Sequence, residues 1–300
     1  MALEHTLGEN TEPFAAESLP SDDEWTLILR PRRPWLDLRL GELWQARDLI
    51  MLFVRRDFVS TYKQTILGPL WYIIQPLLTT ITFTIIFGKV AQLSTDGLPQ
   101  FLFYMSGTVI WGYFAMCLNK TSNTFVSNRG LFGKVYFPRL AVPISVAISN
   151  LVNFGIQFLL FVAFVVFFML AGSDVHLNAA ILLTPLLILM LAGIGLGFGI
   201  IVSSMTTRYR DLTQLVAFGV QLLMYATPVI YPLSAVPERL RPIIALNPLT
   251  AIIETFRYGY LGAGDVGYGG LIYSFCFMVV VLLTGLIYFN RIEQTFMDTV

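Results

Sequence analysis

Six long apolar stretches constrain the fold of this chain more than any other feature of its sequence. A helix needs about 20 mainly apolar residues to cross a bilayer, and each stretch is about that long or longer. The predicted spans are residues 67–90, 101–118, 141–171, 179–205, 212–231 and 270–289. Charged residues make up 13% of the chain, against about 25% in a typical soluble domain, so most of its surface is not expected to face water. The sequence therefore predicts an all-α membrane protein with six transmembrane helices.

The segments that flank these spans have compositions of their own. Residues 40–63 alternate apolar and charged groups at helical spacing, which predicts an N-terminal amphipathic helix in the membrane interface or, alternatively, a helix packed on a partner. Residues 232–269 carry too many charges for a seventh span, and we expect one or two short re-entrant helices at 242–261, shielded by protein. The first 24 residues contain seven acids and no Lys or Arg. We predict a disordered acidic cytoplasmic tail at 1–34 and a transmembrane domain at 35–300.

Lys and Arg are distributed unevenly between the two predicted sides of the membrane. If the N-terminus is cytoplasmic, the inside segments hold fifteen basic residues and the outside segments hold four. Basic residues concentrate on the cytoplasmic side of membrane proteins, so both termini are predicted to be cytoplasmic.

The predicted spans contain essentially no ionisable residue, and this limits the possible functions. Proton-coupled and ion-coupled transport use such residues, and an enzyme in the membrane needs an acid–base pair or a metal cluster. The chain has no phosphate-binding loop, its two cysteines (Cys117 and Cys276) have no metal-like spacing, and its net charge is zero. We expect no catalytic residue, no metal, no cofactor and no nucleic-acid partner. Energy for uphill transport would have to come from another polypeptide.

Four glycines in the fourth predicted span indicate close helix packing. Gly193, Gly195, Gly197 and Gly199 do not fit the spacing of a dinucleotide-binding motif and lie in the middle of a span. They form two small-xxx-small pairs, Gly193/Gly197 and Gly195/Gly199, which allow helices in a bilayer to approach closely.

Two cytoplasmic loops, the first at Asn119–Leu140 and the second at Thr206–Leu212, combine basic residues with apolar or aromatic ones. Such surfaces fit a groove on a partner protein, although anchoring to the membrane surface is an alternative. The candidate docking residues are Arg129, Lys134, Tyr136, Phe137, Arg139, Arg208, Arg210 and Asp211.

Tyrosine and tryptophan side chains near span ends suggest a second kind of surface. They can form the usual aromatic belt of a membrane protein, or their rings can stack on sugar faces along a conduit. The candidate conduit residues are Tyr72, Trp111, Tyr113 and Tyr225.

Four segments, in this order, resemble a known family. They are Arg55–Trp71 followed by Gln75-Pro76, the Phe137-Pro-Arg139 loop, Arg208-Tyr-Arg-Asp-Leu212, and Leu246-Asn-Pro-Leu-Thr250 followed by Arg257. The chain is similar over residues 35–300 to the permease subunit of type-2 ABC exporters, specifically those for lipid-linked O-antigen and teichoic-acid polymers. The acidic tail lies outside this resemblance.

The resemblance implies partners, a substrate and a location. Two copies would form a pore in the bacterial inner membrane, driven by two cytoplasmic subunits that bind ATP and Mg. The substrate would be a polyprenyl-diphosphate-linked polysaccharide, moved from cytoplasm to periplasm. The resemblance places the diphosphate head group at Arg55, Arg56, Lys63 and Arg257. Broken helices at membrane depth usually serve a transport pathway, so Asn247 and Pro248 in the outer re-entrant segment are the candidate gate. The first three bases also fit the positive-inside rule, and Arg257 also fits an ion pair with Glu254, three residues earlier on a helix.

Two other functions remain open at this point. The same permease could export a drug or another hydrophobic small molecule. A membrane glycosyltransferase or acyltransferase would need catalytic groups, and Asp174, His176 and Asp265 are loose candidates with no partner at a recognisable spacing.

Overall fold

A computed structural model describes residues 40–63, 65–132, 137–206, 211–264 and 266–296. In these ranges the backbone forms helices, turns and loops, without a β-strand. The helices are α1 (Leu40–Gln45), α2 (Arg47–Tyr62), α3 (Trp71–Phe83), α4 (Gln100–Ser122), α5 (Thr124–Ser127), α6 (Arg129–Phe132), α7 (Ala141–Leu170), α8 (Thr184–Thr206), α9 (Leu212–Tyr225), α10 (Arg241–Ala245), α11 (Pro248–Leu261) and α12 (Tyr268–Phe296). Short 3₁₀ helices precede α3 and α8, and α3 continues as a π-helix over Thr84–Val90.

Among the described helices, five are long and apolar enough to cross a membrane. They are Gly68–Val90, Gln100–Ser122, Ala141–Leu170, Ala179–Thr206 and Tyr268–Arg291. These correspond to the first, second, third, fourth and sixth predicted spans, with ends that differ by a few residues. The all-helical fold class is therefore confirmed.

The predicted fifth span, 212–231, is not a single membrane-length helix. Helix α9 is apolar but has 14 residues and ends at Tyr225. The chain then turns through residues 226–231. The physical reason is Pro228, because proline has no N–H to donate to the preceding helical turn and disfavours a helical conformation at the residue before it.

Helix α4 lies at the centre of the bundle and packs against α3, α7, α8, α9 and α11. Most residues of its apolar stretch are buried (72%), against 11% in Gly68–Val90, which lies at the periphery. An apolar helix that is surrounded by others buries residues on every side. Leu102, Phe103, Met105 and Phe114 are accordingly all buried.

The glycines of α8 bring it close to two neighbours. A Cβ atom on Gly193 would lie 2.5 Å from Met278, and one on Gly197 would lie 2.9 Å from the backbone nitrogen of Leu282, both on α12. On the opposite side, a Cβ atom on Gly195 or Gly199 would meet α4, at Cys117 and Thr121 respectively. Each predicted small-xxx-small pair therefore faces a different helix, and the packing role is confirmed.

Helices also form in the two segments that flank the spans. Residues 40–63 form α1 and α2, which are separated at Ala46. Residues 241–261 form α10 and α11. The predicted acidic tail at 1–34 lies outside the described residues.

Helix α11 is closed at its C-terminal end by the α7–α8 connection. Gly262 takes the left-handed conformation (φ +84°) that commonly ends a helix. The backbone N–H of Asn178 donates to the Gly259 carbonyl at 2.9 Å, and the Asn178 side chain donates to the Tyr258 carbonyl at 3.0 Å. Two of the carbonyls in the last turn of the helix thus accept hydrogen bonds from Asn178.

Candidate functional site

The two predicted docking loops start from the same end of the bundle, which we call the docking end (residues 122–141 and 203–211). The Phe125 N–H donates to Ser203 Oγ at 3.2 Å, and Thr206 Oγ1 donates to the Ser122 carbonyl at 3.2 Å. These bonds join the start of the first loop to the end of α8. The structure therefore brings the starts of the two loops together.

Phe137 and Arg139 are turned into the protein at this end. Phe137 is buried and packs edge-to-face on Phe53 of α2, with 5.6 Å between the ring centroids. Arg139 is 5% exposed. The surrounding apolar cluster joins α1, α2, the loop, α7, α8 and α12 through Leu43, Ile50, Phe53, Phe125, Phe137, Leu140, Ala141, Val142, Ile200 and Phe289. The part of the predicted docking loop at Phe137 is thus packed on α2, a contact that the sequence did not indicate.

The other predicted docking residues are only partly described. Asp211 is exposed and directly precedes α9, and Arg129 is the first residue of α6. The side chain of Arg129 and all of Lys134, Tyr136, Arg208 and Arg210 lie outside the described part of the structure.

Replacing Phe137 with alanine is expected to loosen α2 from the docking end. The change removes most of a buried aromatic side chain, which costs about 3–5 kcal/mol in a well-packed core. Hydrogen exchange of α2 amides should become faster in the variant, whereas Val126→Ala at an exposed site of α5 should leave it unchanged. Equal protection of α2 in both variants would contradict this role of Phe137.

Three of the predicted head-group bases lie on or directly after α2 and are exposed: Arg55, Arg56 and Lys63. Arg56 donates to Asp57 Oδ1 from two nitrogens, at 3.0 and 2.8 Å, and its guanidinium stacks 4.9 Å above the Phe53 ring. Arg55 and Lys63 make no ion pair with any described residue. Their charges are therefore open to an anion at this surface.

The four predicted conduit aromatics differ in exposure. Tyr225 is 47% exposed and Tyr72 is half-buried. Trp111 and Tyr113 are buried inside the bundle, where their rings pack on Phe114 and Phe154 at 5.3 and 5.2 Å. A passing polymer cannot touch these two rings in this conformation.

Arg257 of α11 is inside the protein and 2% exposed. Its Nη1 donates to Glu254 Oε1 at 3.0 Å, and its Nη2 donates to the carbonyls of Pro228 and Val229 at 3.0 and 3.3 Å. Its guanidinium carbon lies 3.9 Å from the centroid of the Phe103 ring on α4. The ion pair with Glu254, which the sequence left as an alternative, is the arrangement observed. In this conformation a lipid head group cannot reach Arg257.

The turn that follows α9 (residues 226–231) lies between α4 and α11. A Cβ atom on Gly107 of α4 would lie 2.6 Å from the Val229 carbonyl oxygen, so the turn lies directly on the helix surface. Arg257 donates to the turn from the other side. Its donors satisfy the carbonyls of Pro228 and Val229, which lie in the turn and have no helical partner.

Asn247 and Pro248, the predicted gate residues, form the start of α11. The Asn247 side chain caps the helix by accepting from the Leu249 N–H at 3.0 Å, and Pro248 occupies the first turn. The Asn247 amide also donates to Thr227 Oγ1 at 2.7 Å. Asn247 therefore connects α11 to the turn after α9.

The described residues contain no group of three or more His, Cys, Asp or Glu side chains that could hold a metal ion. Asp174 and His176, two of the loose catalytic candidates, are exposed, with 2.7 Å between His176 Nε2 and Asp174 Oδ1. Asp265 lies outside the described residues.

Comparison with known proteins adds a family and relatives. The profile of the ABC-2 type transporter family matches residues 48–261. The chain is 27% identical over 251 residues to the O-antigen export system permease protein RfbA of Klebsiella pneumoniae, an alignment that covers 84% of this chain and 94% of the relative. It is 29% identical over 218 residues to RfbA of Myxococcus xanthus (72% and 81% covered). It is 23% identical over 255 residues to the polysialic acid transport protein KpsM of Escherichia coli (81% and 93% covered).

Proposed function

Because the chain belongs to the ABC-2 type transporter family, we propose that it is the permease subunit of an exporter that moves a polyprenyl-diphosphate-linked polysaccharide from the cytoplasm to the periplasm. The observation that carries this proposal is the extent of the similarity to O-antigen export permeases. The alignment includes 94% of the Klebsiella relative, so nearly all of that protein has a counterpart here. In this family the permease spans the membrane, and separate subunits hydrolyse ATP.

The proposed assembly has two copies of this chain and two ATP-binding subunits, in which ATP and Mg would be bound. The docking end would face the cytoplasm, as the fifteen-to-four distribution of Lys and Arg favours. Arg55 and Lys63 would then lie on the side where the diphosphate head group arrives. The membrane is the bacterial inner membrane, with both termini cytoplasmic.

In this proposal α9 and the turn at 226–231 together form the fifth of six spans. Gly107, which lies against the turn, is seven residues from the first residue of α4. At 1.5 Å per residue this is about 10 Å along the helix. The turn therefore contacts α4 about 10 Å from its N-terminal end, at a depth inside the bundle. Non-helical backbone occurs at such depth only where protein shields it or where it lines an aqueous cavity. This supports re-entrant placement of α10 and α11 beside a transport path.

Deletion of the gene tests the proposal directly. Lipid-linked polymer should accumulate inside the cell, surface glycan should be lost, and a plasmid copy should restore both. Normal surface glycan in the deletion strain would overturn the proposal. Purification in mild detergent adds a second test, since an ATP-binding subunit should remain bound in a one-to-one ratio.

Asn247→Ala is expected to lower polymer export strongly. The loss of export should be larger than the small loss of thermal stability in this variant would cause. The loss of a helix cap costs about 1 kcal/mol, and the variant also loses the bond to Thr227 that joins α11 to the turn. Asn178→Ala is the matched control, because Asn178 donates to the other end of the same helix. We expect similar losses of thermal stability in the two variants and a loss of polymer export in Asn247→Ala alone. Equal export by both would count against a gate at this turn.

A further inference from the structure

Helix α7 has a polar face buried inside the bundle. Ser145, Ser149, Asn153 and Gln157 recur every four residues and therefore share one side of the helix, and Asn150 lies beside them. All five are buried, with exposures of 0–8%. The rest of α7 is strongly apolar, and α7 is one of the five described helices that could cross a membrane. Burial of this many polar side chains in a membrane helix is costly unless they find partners.

Helix α4 lies opposite this polar face. The Asn150 amide nitrogen lies 4.0 Å from Cys117 Sγ, and a Cβ atom on Gly112 would lie 3.8 Å from Gln157 Oε1. Tyr113 is buried one turn before Cys117 on α4, and its ring centroid lies 5.2 Å from that of Phe154 on α7. We call this strip between α4 and α7 the polar seam.

Several acceptors in the polar seam have no protein donor. Within the part of the chain that the structure describes, Ser149 Oγ, Asn150 Oδ1 and Asn153 Oδ1 are fully buried and have no hydrogen-bond partner. Ser145 differs, because its hydroxyl donates to the Val142 carbonyl of its own helix at 2.8 Å. Three neighbouring orphan groups on one helix face require a common explanation.

We propose that the polar seam binds a short row of ordered water molecules between α4 and α7. Side chains three or four residues apart on a helix have Cβ atoms about 5–6 Å from each other, so one water can bridge two of them. Water also supplies the donors that the two amide oxygens need, and buried waters of this kind make about three hydrogen bonds each. The seam is then a hydrated interface inside the membrane domain.

The position of the seam gives the water a role, and this step rests on the proposed function. Helices α4 and α7 are the two that the first predicted docking loop connects. Interlocked apolar side chains resist small shifts between helices. Water-mediated hydrogen bonds can instead exchange partners as the two helices shift, at little cost. A movement of the docking loop would thus shift α4 relative to α7 along this seam, inside the membrane domain.

Asn153→Leu and Asn150→Leu in lipid nanodiscs separate a hydrated seam from a dry one. In a dry seam a buried amide oxygen without a donor is replaced by an apolar group of similar size, and the unfolding midpoint should rise, most clearly for Asn153→Leu. In a hydrated seam bridging bonds are lost, and we expect the midpoint to fall by roughly 5 °C. The control is Thr284→Val on α12, which lies outside the seam and whose hydroxyl bonds to its own helix; it should change the midpoint little.

Hydroxyl-radical labelling after X-ray irradiation reports buried water in the unmodified chain. Tyr113 and Tyr260 are both buried, at 4% and 7% exposure. Tyr260 bonds to Thr184 and is surrounded by phenylalanine rings. Labelling of Tyr113 should be several-fold faster. The proposal requires both results, so either a raised midpoint or equal labelling of the two tyrosines overturns it. Neither measurement uses export or a partner ATPase. The proposal of a hydrated seam can therefore fail while the proposed function stands, and the proposed function can fail while the hydrated seam stands.

Discussion

Replacing Gly197 with leucine is expected to prevent α8 and α12 from packing. Even a single Cβ atom at this position would lie 2.8 Å from Val281 Cγ1 and 2.9 Å from the Leu282 backbone nitrogen. A side chain can change rotamer, but the backbone of α12 has to move away. Overpacking of this kind costs about 3 kcal/mol or more, and in a bilayer close packing of small residues is a main source of helix association. The variant should show a large fall in thermal stability and a low yield of folded protein.

Two further variants test this explanation. Gly285 of α12 faces Gly197 across the contact, where its Cβ atom would lie 2.8 Å from the Gly197 carbonyl oxygen, so Gly285→Ala should also destabilise the protein. Gly155→Ala on α7 is the control, because no atom lies within 4 Å of the added Cβ and alanine favours a helix over glycine. Stability of Gly197→Leu equal to that of Gly155→Ala would refute the packing role of the α8 glycines.

The membrane helices were predictable because their signal is local. A long apolar stretch must be helical in a bilayer wherever its neighbours lie. The small-xxx-small pairs of α8 were predictable for a similar reason, since glycine has few other uses in the middle of a span. The early end of α9 also has a local signal, Pro228, which the hydropathy of residues 212–231 outweighed in the prediction.

Side-chain positions that depend on tertiary packing were not predictable. Trp111 and Tyr113 were expected near a conduit, but α4 is surrounded by helices and no periodic pattern marks a side of it that faces a path. Phe137 was expected to contact a partner because it is an aromatic residue in a loop. Its packing on Phe53 joins residues 84 positions apart in the sequence. Composition alone cannot reveal such a contact.

Arg257→Gln is expected to destabilise the outer part of the protein severely. The change leaves the carboxylate of Glu254 in a buried site without its cation, and the carbonyls of Pro228 and Val229 lose their donor. Breaking a buried ion pair from one side costs about 3–5 kcal/mol, because the remaining charge is uncompensated. The contact with the face of Phe103 is lost as well. Thermal unfolding in detergent or nanodiscs should show this as a lowered midpoint.

Arg241→Gln is the matched control for this prediction. Arg241 also donates to two backbone carbonyls, those of Val236 and Ser234, but it is exposed, so its loss should cost about 1 kcal/mol. The double variant Arg257→Gln/Glu254→Gln should recover part of the stability, because no buried charge is then left alone. A head-group role for Arg257 predicts the opposite pattern, with unchanged stability and reduced export. Since Arg257 reaches α4 and the turn after α9 from α11, we expect its stability loss to exceed that of Arg241 severalfold.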